Sequence, residues 1–507
     1  MSTQGGFNAP LRRVGVVTLV LFGMLFVNLN YVQGVKAKDY RTSDYNARVQ
    51  TAEYDVERGK IIVGDTAVAE SKETTDSLKY LRTYPGGEMY AHVVGFRGVN
   101  IGSSGVEKLE DEYLSGNSDA QFADRISEMF TGQKPGGNVV LSLSKGAQET
   151  AWKELTGQKL SKTGAAVAID PRTGAILAAV SFPSYDPGPY ASHDTKVAVD
   201  AKTKVESDKE LKPSLNRAFS DRFPPGSTFK VITSAAALAN GATPETVMQA
   251  GNNYQPPQTS NFSIKNSSQN TCPEPSITLK QALTVSCNTS FARYAVESLG
   301  PDKLKEMGRN FGFEEIPHIE RDDKNFAFGV AKSEMGTMSG PDGKVDPPAL
   351  AQSAIGQREV KMTPLQGAMI AATVANNGSQ MRPYLVQELK TYDLTTTHFT
   401  AQPKELRRSC TPAISRDLQD MMVNVVENGT GKKARINGFK VGGKTGTADG
   451  AEEEGAHGWF IGFVMKDDKP IIATAVFLQN AGKGGSGEAA RISGEIMKSY
   501  IAEKGLS

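Results

Sequence analysis

The 507-residue chain is poor in the residues that build metal centres. It has three cysteines and five histidines, the cysteines form no C-x-x-C pair, and the histidines are scattered singly. Zinc and iron sites need such clusters, so we predict neither a metal nor a cofactor. An excess of charge is also lacking, because 57 Lys and Arg face 56 Asp and Glu, for a net charge of +1. This balance argues against a nucleic-acid partner.

Charge is absent altogether from one stretch near the N-terminus. From Val14 to Gly34 no residue is charged, and about 20 such residues are enough to cross a bilayer as a helix. Two arginines precede the stretch, and positive charge favours the cytoplasmic side. We therefore predict a cytoplasmic tail over 1–13, a transmembrane signal anchor over 14–34 and the rest of the chain outside the cell membrane. The alternative is a cleaved signal peptide, but the stretch is long for one and no clear small-x-small cleavage site follows.

The rest of the chain is long enough for more than one folding unit. Residues 35–145 are polar and Gly-rich with short strand-like runs, which predicts an extended stalk, or pedestal. In 146–507, the segments 164–180 and 458–478 each have the pattern of a β-hairpin around a turn. Strands at both ends with helical runs between them predict one α+β domain whose ends join in a single sheet.

Local patterns predict helices and loops within this domain. Thr363-Pro364 and Asn377-Gly378 are start and stop signals for a helix between them, and the apolar spacing over 488–503 is also helical. Residues 192–212 are rich in Lys, Asp and Glu, and 251–276 in Asn, Ser, Gln and Pro. Both segments are predicted to be exposed, solvated loops.

A serine and a lysine lie at the predicted start of a buried helix. A Pro-Pro-Gly turn at 224–226 breaks the chain, and S-T-F-K from Ser227 to Lys230 opens an apolar run that ends at 240–241. Three residues is close to one helical turn, so the Lys230 amine and the Ser227 hydroxyl should share one face. A serine needs an adjacent base to become a nucleophile, and burial can make a lysine such a base.

The S-x-x-K pattern alone is weak evidence for a nucleophilic serine, because the pattern occurs by chance in a chain of this size. Chance matches to S-x-x-K, K-T-G and S-x-N start at Ser142, Lys162 and Ser268, respectively. Singly, each motif has an ordinary structural explanation: a helix-capping serine, an N-cap asparagine and a surface lysine. Order and context separate three motifs from these chance matches. They are S-x-x-K at a helix start (Ser227, Lys230), S-x-N between two helical runs (Ser286, Asn288) and K-T-G-T in a strand-like stretch (Lys444, Thr445, Gly446, Thr447).

With these three motifs the chain resembles the class B penicillin-binding proteins, and most of all their short actinobacterial members. The resemblance extends to Arg58-Gly59, Gly102 to Glu107, Ser181 to Pro187, Gly356-Gln357 and Thr363 to Gln366. It implies a penicillin-binding transpeptidase fold, in which an antiparallel sheet is flanked by helices as in serine β-lactamases. It also implies that 35–145 is a pedestal of the dimerisation type.

The resemblance implies a reaction on peptidoglycan stem peptides. Ser227 attacks the carbonyl between the two terminal D-alanines, and Lys230 takes its proton. Ser286 relays a proton to the leaving amine, and Asn288 holds the substrate amide. Which group acts as the acylation base is disputed among relatives, so the role of Lys230 stays open at this point.

The third motif is implied to bind the terminal carboxylate of the substrate. Its residues are Lys444, Thr445, Gly446 and Thr447. The backbone N–H groups of Ser227 and Thr447 form the oxyanion hole. An amine from a neighbouring strand then completes a cross-link during cell-wall growth and division, with D,D-carboxypeptidase as a side activity.

The implied partners are peptidoglycan stem peptides, β-lactam antibiotics and the cytoplasmic membrane. A separate membrane glycosyltransferase of the SEDS type is also implied, since a stalk of about 110 residues is too short to house a glycosyltransferase domain.

A serine β-lactamase or penicillin sensor would share the Ser–Lys pair, but no motif for a water-activating base is recognisable. A catalytically idle scaffold is a third reading, which the intact motifs disfavour.

Cys272 and Cys287 lie fifteen positions apart, and Cys287 is the middle residue of the second motif. Cysteines outside the cell membrane persist as bridges, so we predict a disulfide between them that leaves Cys410 unpaired. Two separate buried thiols are the open alternative, because the sequence gives no Cα separation.

Overall fold

The computed structural model describes residues 8–36, 54–121, 136–319, 328–448 and 455–506. Numbered in chain order, its helices are α1 (Asn8–Asn30), α2 (Gly87–Val94), α3 (Gly105–Leu109), α4 (Asp111–Leu114), α5 (Lys145–Gly157), α6 (Thr195–Ser207), α7 (Lys230–Ala239), α8 (Leu279–Val285), α9 (Asn288–Tyr294), α10 (Pro301–Asn310), α11 (Pro347–Ser353), α12 (Pro364–Ala375), α13 (Pro412–Glu427) and α14 (Gly485–Glu503). Its strands are β1 (Ile61–Val63), β2 (Thr66–Glu73), β3 (Tyr80–Thr83), β4 (Arg97–Gly98), β5 (Gly102–Ser103), β6 (Asn138–Leu141), β7 (Gly164–Ile169), β8 (Ile176–Phe182), β9 (Val247–Gln249), β10 (Asn253–Tyr254), β11 (Ile264–Lys265), β12 (Ser276–Thr278), β13 (Ser379–Met381), β14 (Val386–Lys390), β15 (Thr397–Thr400), β16 (Glu405–Arg408), β17 (Lys440–Ala448), β18 (His457–Lys466) and β19 (Lys469–Leu478).

The N-terminal helix fits a membrane anchor by length and composition. The helical stretch Leu11–Val35 is long and apolar enough to cross a membrane, and the predicted span 14–34 falls inside it. Residues 1–7 of the predicted tail lie outside the described residues.

The sheet with the order β17-β18-β19-β7-β8 carries the domain predicted from the hairpin patterns. All of its neighbouring strands are antiparallel. Strands from the beginning and the end of the domain meet where β7 pairs with β19. The two predicted hairpins are confirmed as β7–β8 and β18–β19, and so is the closure of the domain in one sheet.

Both faces of this sheet are covered by helices. Along β7, Ala165 and Val167 join an apolar cluster that includes residues of α7 and α12, whereas Ala166 and Ala168 join another with residues of α5 and α14. Successive side chains of a strand point to opposite faces, so a wholly apolar strand needs a helix layer on each side. The result is the predicted α+β architecture, an antiparallel sheet flanked by helices.

A second sheet builds the pedestal, in the order β15-β14-β6-β1-β2-β3. Strand β1 runs parallel to β6, and β14 runs antiparallel to β6 on its other side. Because β14 and β15 come from 386–400, segments from both sides of the predicted boundary at residue 145 share this sheet. Sequence analysis missed that pairing, and the boundary itself stays a prediction.

The predicted helices after Thr363 and over 488–503 are confirmed as α12 and α14. The Thr363 hydroxyl caps α12 by accepting the backbone N–H of Gln366 at 3.1 Å. The prediction that 192–212 is a loop was wrong, because this segment contains helix α6.

Helix α6 is mostly exposed, and its polar composition hid a helical apolar spacing. Asp194 caps the helix by accepting the backbone N–H of Lys196 at 2.8 Å. Ala198 is buried, and Ala201 and Val205 pack against the core. Steps of three and four residues place these three side chains on one face.

Candidate active site

A tight turn fixes the position of Ser227. The residue lies in the 3₁₀ helix Gly226–Phe229, which continues directly into α7. Gly226 has a φ of +53°, and a Cβ atom there would lie 2.3 Å from the carbonyl oxygen of Thr447. The backbone N–H of Gly226 donates to the carbonyl oxygen of Gly356 at 2.9 Å. Because only glycine permits this approach, the Pro-Pro-Gly sequence holds Ser227 against strand β17.

Strand β17 carries the third motif and touches the same turn. A Cβ atom at Gly446 would lie 2.6 Å from the carbonyl oxygen of Pro225. This close packing is sufficient reason for a glycine at this position of the motif. On the neighbouring strand β18, the buried Trp459 donates its Nε1–H to the carbonyl oxygen of Pro224 at 3.0 Å. Sequence analysis missed Trp459, whose partner is 235 positions away.

The fully buried Lys230 joins the first two motifs. Its Nζ atom lies 3.0 Å from Ser227 Oγ, 2.8 Å from the carbonyl oxygen of Ser286 and 2.6 Å from Asn288 Oδ1. The Asn288 amide can point only this way, because its Nδ2 atom donates to the carbonyl oxygen of Lys265 at 2.9 Å. A neutral amine has two N–H donors for the two carbonyl acceptors and a lone pair for the Ser227 proton.

The surroundings of Lys230 favour this neutral form. Burial lowers the pKa of Lys230 well below its ordinary value, and the nearby Lys444 cation lowers this pKa further. Within the part of the chain that the structure describes, the groups that contact its Nζ atom are uncharged. A neutral amine 3.0 Å from the Ser227 hydroxyl is able to accept its proton.

Ser286 connects the two buried lysines. Its Oγ atom lies 3.2 Å from the Nζ atom of Lys230 and 2.9 Å from that of Lys444. Ser286 ends α8 with a φ of +63°, in the left-handed region that residues other than glycine seldom adopt. This turn lets α9 begin at Asn288 and brings both side chains of the motif to Lys230. Burial lowers the pKa of Lys444 to about 7.

The segment 251–276 positions the second motif, a role that sequence analysis missed. Asn266 Oδ1 accepts the backbone N–H of Asn288 at 2.9 Å and of Thr289 at 3.2 Å. These are first-turn N–H groups of α9, which have no acceptor within the helix. The prediction of a solvated loop was therefore wrong for this part of the segment.

A disulfide ties the same segment to the second motif. Cys272 and Cys287 are bonded, with Cα atoms 5.9 Å apart, which confirms the predicted bridge. Cys410 is free, as predicted, and it is buried.

A cleft of about 780 Å³ opens onto Ser227. All three motifs contribute to its described lining, through Ser227, Ser286, Asn288, Thr445 and Thr447. Further lining residues are 261–267, Val285, Gln352, Ile355, Gln357, Thr430 and Ser486. The two lysines are fully buried and meet the cleft through the hydroxyls that they contact. The structure thus brings the predicted site residues together.

A serine hydroxyl beside a buried lysine amine of lowered pKa, on a sheet flanked by helices, is typical of a serine enzyme that works through a covalent acyl intermediate. Residues 164–498 match the family model of the penicillin binding protein transpeptidase domain. Residues 58–140 match the penicillin binding protein A dimerisation domain. The chain therefore belongs to the penicillin-binding protein transpeptidase family, as the sequence resemblance implied, and it is a serine-type transpeptidase.

Mycobacterial relatives match along nearly their whole length. Peptidoglycan D,D-transpeptidase PbpA of Mycolicibacterium smegmatis is 39% identical over 501 residues, which cover 98% of this chain and 98% of the relative. PbpA of Mycobacterium tuberculosis is 37% identical over 479 residues, which cover 93% of this chain and 94% of the relative. The penicillin G acyl-enzyme complex of penicillin-binding protein A from M. tuberculosis has a TM-score of 0.78 at 36% identity, and the match covers 89% of this chain and 100% of that one.

Proposed function

We propose that this chain is a peptidoglycan D,D-transpeptidase that cross-links stem peptides through an acyl-enzyme on Ser227, and that β-lactams acylate the same serine. The observation that carries the proposal is the 3.0 Å contact between Ser227 Oγ and the buried Lys230 amine. Support also comes from the PbpA relatives, which are named peptidoglycan D,D-transpeptidases, and from the penicillin G acyl-enzyme of the M. tuberculosis protein.

In the acylation step, Ser227 Oγ attacks the carbonyl between the terminal D-alanines while its proton moves to Lys230 Nζ. The backbone N–H groups of Ser227 and Thr447 stabilise the oxyanion, a contribution of about 3 kcal/mol. Ser286 passes the proton from Lys230 to the leaving amine, so D-alanine departs as a neutral amine. An acceptor amine then attacks the ester carbonyl and returns a proton to Ser227, which forms the cross-link. Attack by water instead gives the D,D-carboxypeptidase side activity.

The other site residues bind the substrate. Asn288 holds the amide of the stem peptide, and the third motif receives its terminal carboxylate. Within this motif, the hydroxyls of Thr445 and Thr447 line the cleft, and Gly446 lets the strand approach the Ser227 turn. Lys444 is buried behind the wall of the cleft and acts through its charge. Its Nζ atom contacts Ser286 Oγ at 2.9 Å and the carbonyl oxygen of Thr445 at 3.0 Å.

We also propose how the chain is arranged at the cell membrane. Residues 1–13 are cytoplasmic, 14–34 span the bilayer, and the pedestal over 35–145 and the transpeptidase domain over 146–507 lie outside. Support comes from the apolar helix and from the two arginines that precede it. A membrane glycosyltransferase of the SEDS type supplies the glycan strands, because the matched domains are a dimerisation and a transpeptidase domain.

Mass spectrometry of the protein after reaction with penicillin tests the assignment of the nucleophile. We expect one adduct, on the peptide that contains Ser227, and no adduct on Ser227→Ala, which should unfold at an unchanged temperature. Ser142→Ala is the matched control, since Ser142 starts a second S-x-x-K sequence but donates to the carbonyl oxygens of Ile176 at 2.8 Å and Tyr384 at 3.0 Å. An adduct on Ser142, or on any residue other than Ser227, would overturn the proposal.

A further inference from the structure

A second cavity, of about 340 Å³, is lined by residues that do not line the active-site cleft. Ile316, Pro317, Met369 and Leu406 form its apolar walls. Its polar lining includes Gln366, from the T-P-L-Q sequence that starts at Thr363, together with Gln380 and Arg407. The reaction at Ser227 uses none of these polar groups.

The two glutamines have the same unusual arrangement. Gln366 is 0% exposed and Gln380 1%, and their Nε2 atoms donate to one shared acceptor, the carbonyl oxygen of Phe311, at 2.7 Å and 3.0 Å. This acceptor fixes which way each amide points, because exchanging N and O would bring oxygen against oxygen. Both Oε1 atoms are consequently buried without a donor among the described residues.

Both oxygens lie next to one residue of the cavity lining, Gly312. A Cβ atom at Gly312, which also lines the cavity, would lie 3.2 Å from Gln380 Oε1 and 3.4 Å from Gln366 Oε1. Arg407 stands directly opposite Gln380 in the β13–β16 pair, so the two side chains are neighbours on one face. The Nε–H of Arg407 is likewise buried without an acceptor in the described part of the chain.

Unpaired buried polar atoms are rare in folded proteins, and described residues of this lining hold two such acceptors and one such donor. The lining also includes His318 and Glu315, and the Glu315 carboxylate is paired with Arg407. We propose that the cavity binds a primary carboxamide carried on a small apolar group. A primary carboxamide has two N–H donors and one carbonyl acceptor, which complement the two glutamine oxygens and the Arg407 Nε–H.

Related head groups fit this set less well. An ammonium group would leave the Arg407 donor unpaired, and a carboxylate would be repelled by the two amide oxygens. The charge of Arg407 is already matched by its ion pair with Glu315, which also favours a neutral ligand. The carboxamide could belong to a free small amide or to the amide side chain of a peptide.

Ligand-observed NMR on the full chain in detergent tests this inference, which does not depend on the proposed function. The probes are isobutyramide, isobutylamine and isobutyrate, which share one carbon skeleton. We expect isobutyramide to bind at least about tenfold more tightly than the other two, and Gln366→Leu to weaken its binding by a similar factor. Gln402→Leu is the matched control, because Gln402 is exposed and does not line the cavity.

Penicillin labelling of Ser227 first shows that each variant is folded. If Gln366→Leu does not fold, Ile316→Asp at the half-exposed wall, 49% exposed, replaces it, with Leu160→Asp at 44% exposed as its control. Equal binding of the three probes, or isobutyramide binding that survives the cavity variants, would overturn the proposal. Tighter binding of N-acetylglutamine methylamide than of isobutyramide would identify a peptide as the source of the carboxamide, and weaker binding a free amide.

Discussion

The pedestal and the active site both bury ionisable side chains, but these side chains have different partners in the two regions. In the pedestal, the fully buried Glu107 pairs with Arg58 at 2.7 Å and with Arg82 at 2.6 Å. In the active site, the groups of the described residues that contact the fully buried Lys230 and Lys444 are uncharged. A charged group with buried partners is held in one ionisation state, whereas a buried amine without a carboxylate is free to lose its proton.

The pKa shifts follow from this difference. Burial raises the pKa of Glu107, but the attraction of Arg82 and Arg58 outweighs burial, so this pKa is lowered overall. Burial lowers the pKa of Lys230, and the nearby Lys444 cation lowers it further. A buried ionisable group with charged partners is therefore held in its charged form, whereas a buried amine without such partners is shifted towards its neutral form.

The largest effect that separates the two regions is expected from Lys230→Met. Acylation of Ser227 by penicillin should slow by about 10²- to 10⁴-fold, the range of a lost general base. The free energy of unfolding should not fall, because an apolar side chain replaces a buried amine without a charged partner. Labelling kinetics and denaturant unfolding measure the two quantities. A variant that acylates normally but is less stable would make Lys230 a structural residue.

The converse result is expected from Glu107→Gln in the pedestal. The free energy of unfolding should fall by about 3–5 kcal/mol, because the guanidinium groups of Arg58 and Arg82 stay buried without their counter-charge. The labelling rate of the folded protein should not change. Glu112→Gln, at an exposed position nearby, should be neutral by both measures. If the two variants unfold alike, the pedestal does not depend on paired charge.

A smaller effect is expected from the bridge that braces the second motif. Cys272→Ser should lower the free energy of unfolding by about 3 kcal/mol in the chain-entropy model for a loop of this size. Alkylation of the unfolded, non-reduced protein should modify Cys410 alone, and reduction should expose Cys272 and Cys287 as well. Three reactive thiols before reduction would leave the second motif held by packing only.

The smallest predicted effect is a shift of the pH dependence of acylation. The neutral form of Lys230 is the active one, so acylation should rise with pH through a pKa well below 10.5. Lys444→Met removes the cation that lowers this pKa and should move the rise to higher pH. An unmoved rise would show that the two lysines do not interact.

The same shifts determine how stability should change with pH. Above its lowered pKa of about 7, Lys444 binds fewer protons in the folded state than in the unfolded one, up to the ordinary value of 10.5. Its contribution to the free energy of unfolding therefore rises with pH across that window. Unfolding of wild type and Lys444→Met at several pH values measures the difference.

The central contact of the site could be predicted from the sequence because it is local. Ser227 and Lys230 are three residues apart, and helix periodicity alone brings their side chains together. The Asn266 and Trp459 contacts were missed because their partners lie 22 and 235 positions away, and a single asparagine or tryptophan carries no signal of a distant partner.

The scaffold was harder to predict wherever composition and topology disagreed with local patterns. In α6, the many charged residues concealed the spacing of Ala198, Ala201 and Val205. In the pedestal, β14 joins β6 across more than two hundred residues, so its register depends on the tertiary fold rather than on nearby sequence.

The central claim is that burial without a carboxylate partner lowers the pKa of Lys230 well below its ordinary value. An NMR titration of the protein labelled with ¹³C at the lysine ε-carbons tests it directly, with Lys230→Met and Lys444→Met used to identify the two signals. The account predicts that Lys230 titrates well below 10.5 and Lys444 near 7, while exposed lysines titrate near their ordinary value. A Lys230 signal that titrates at or above 10.5 would mean that burial does not lower this pKa, and would contradict the account.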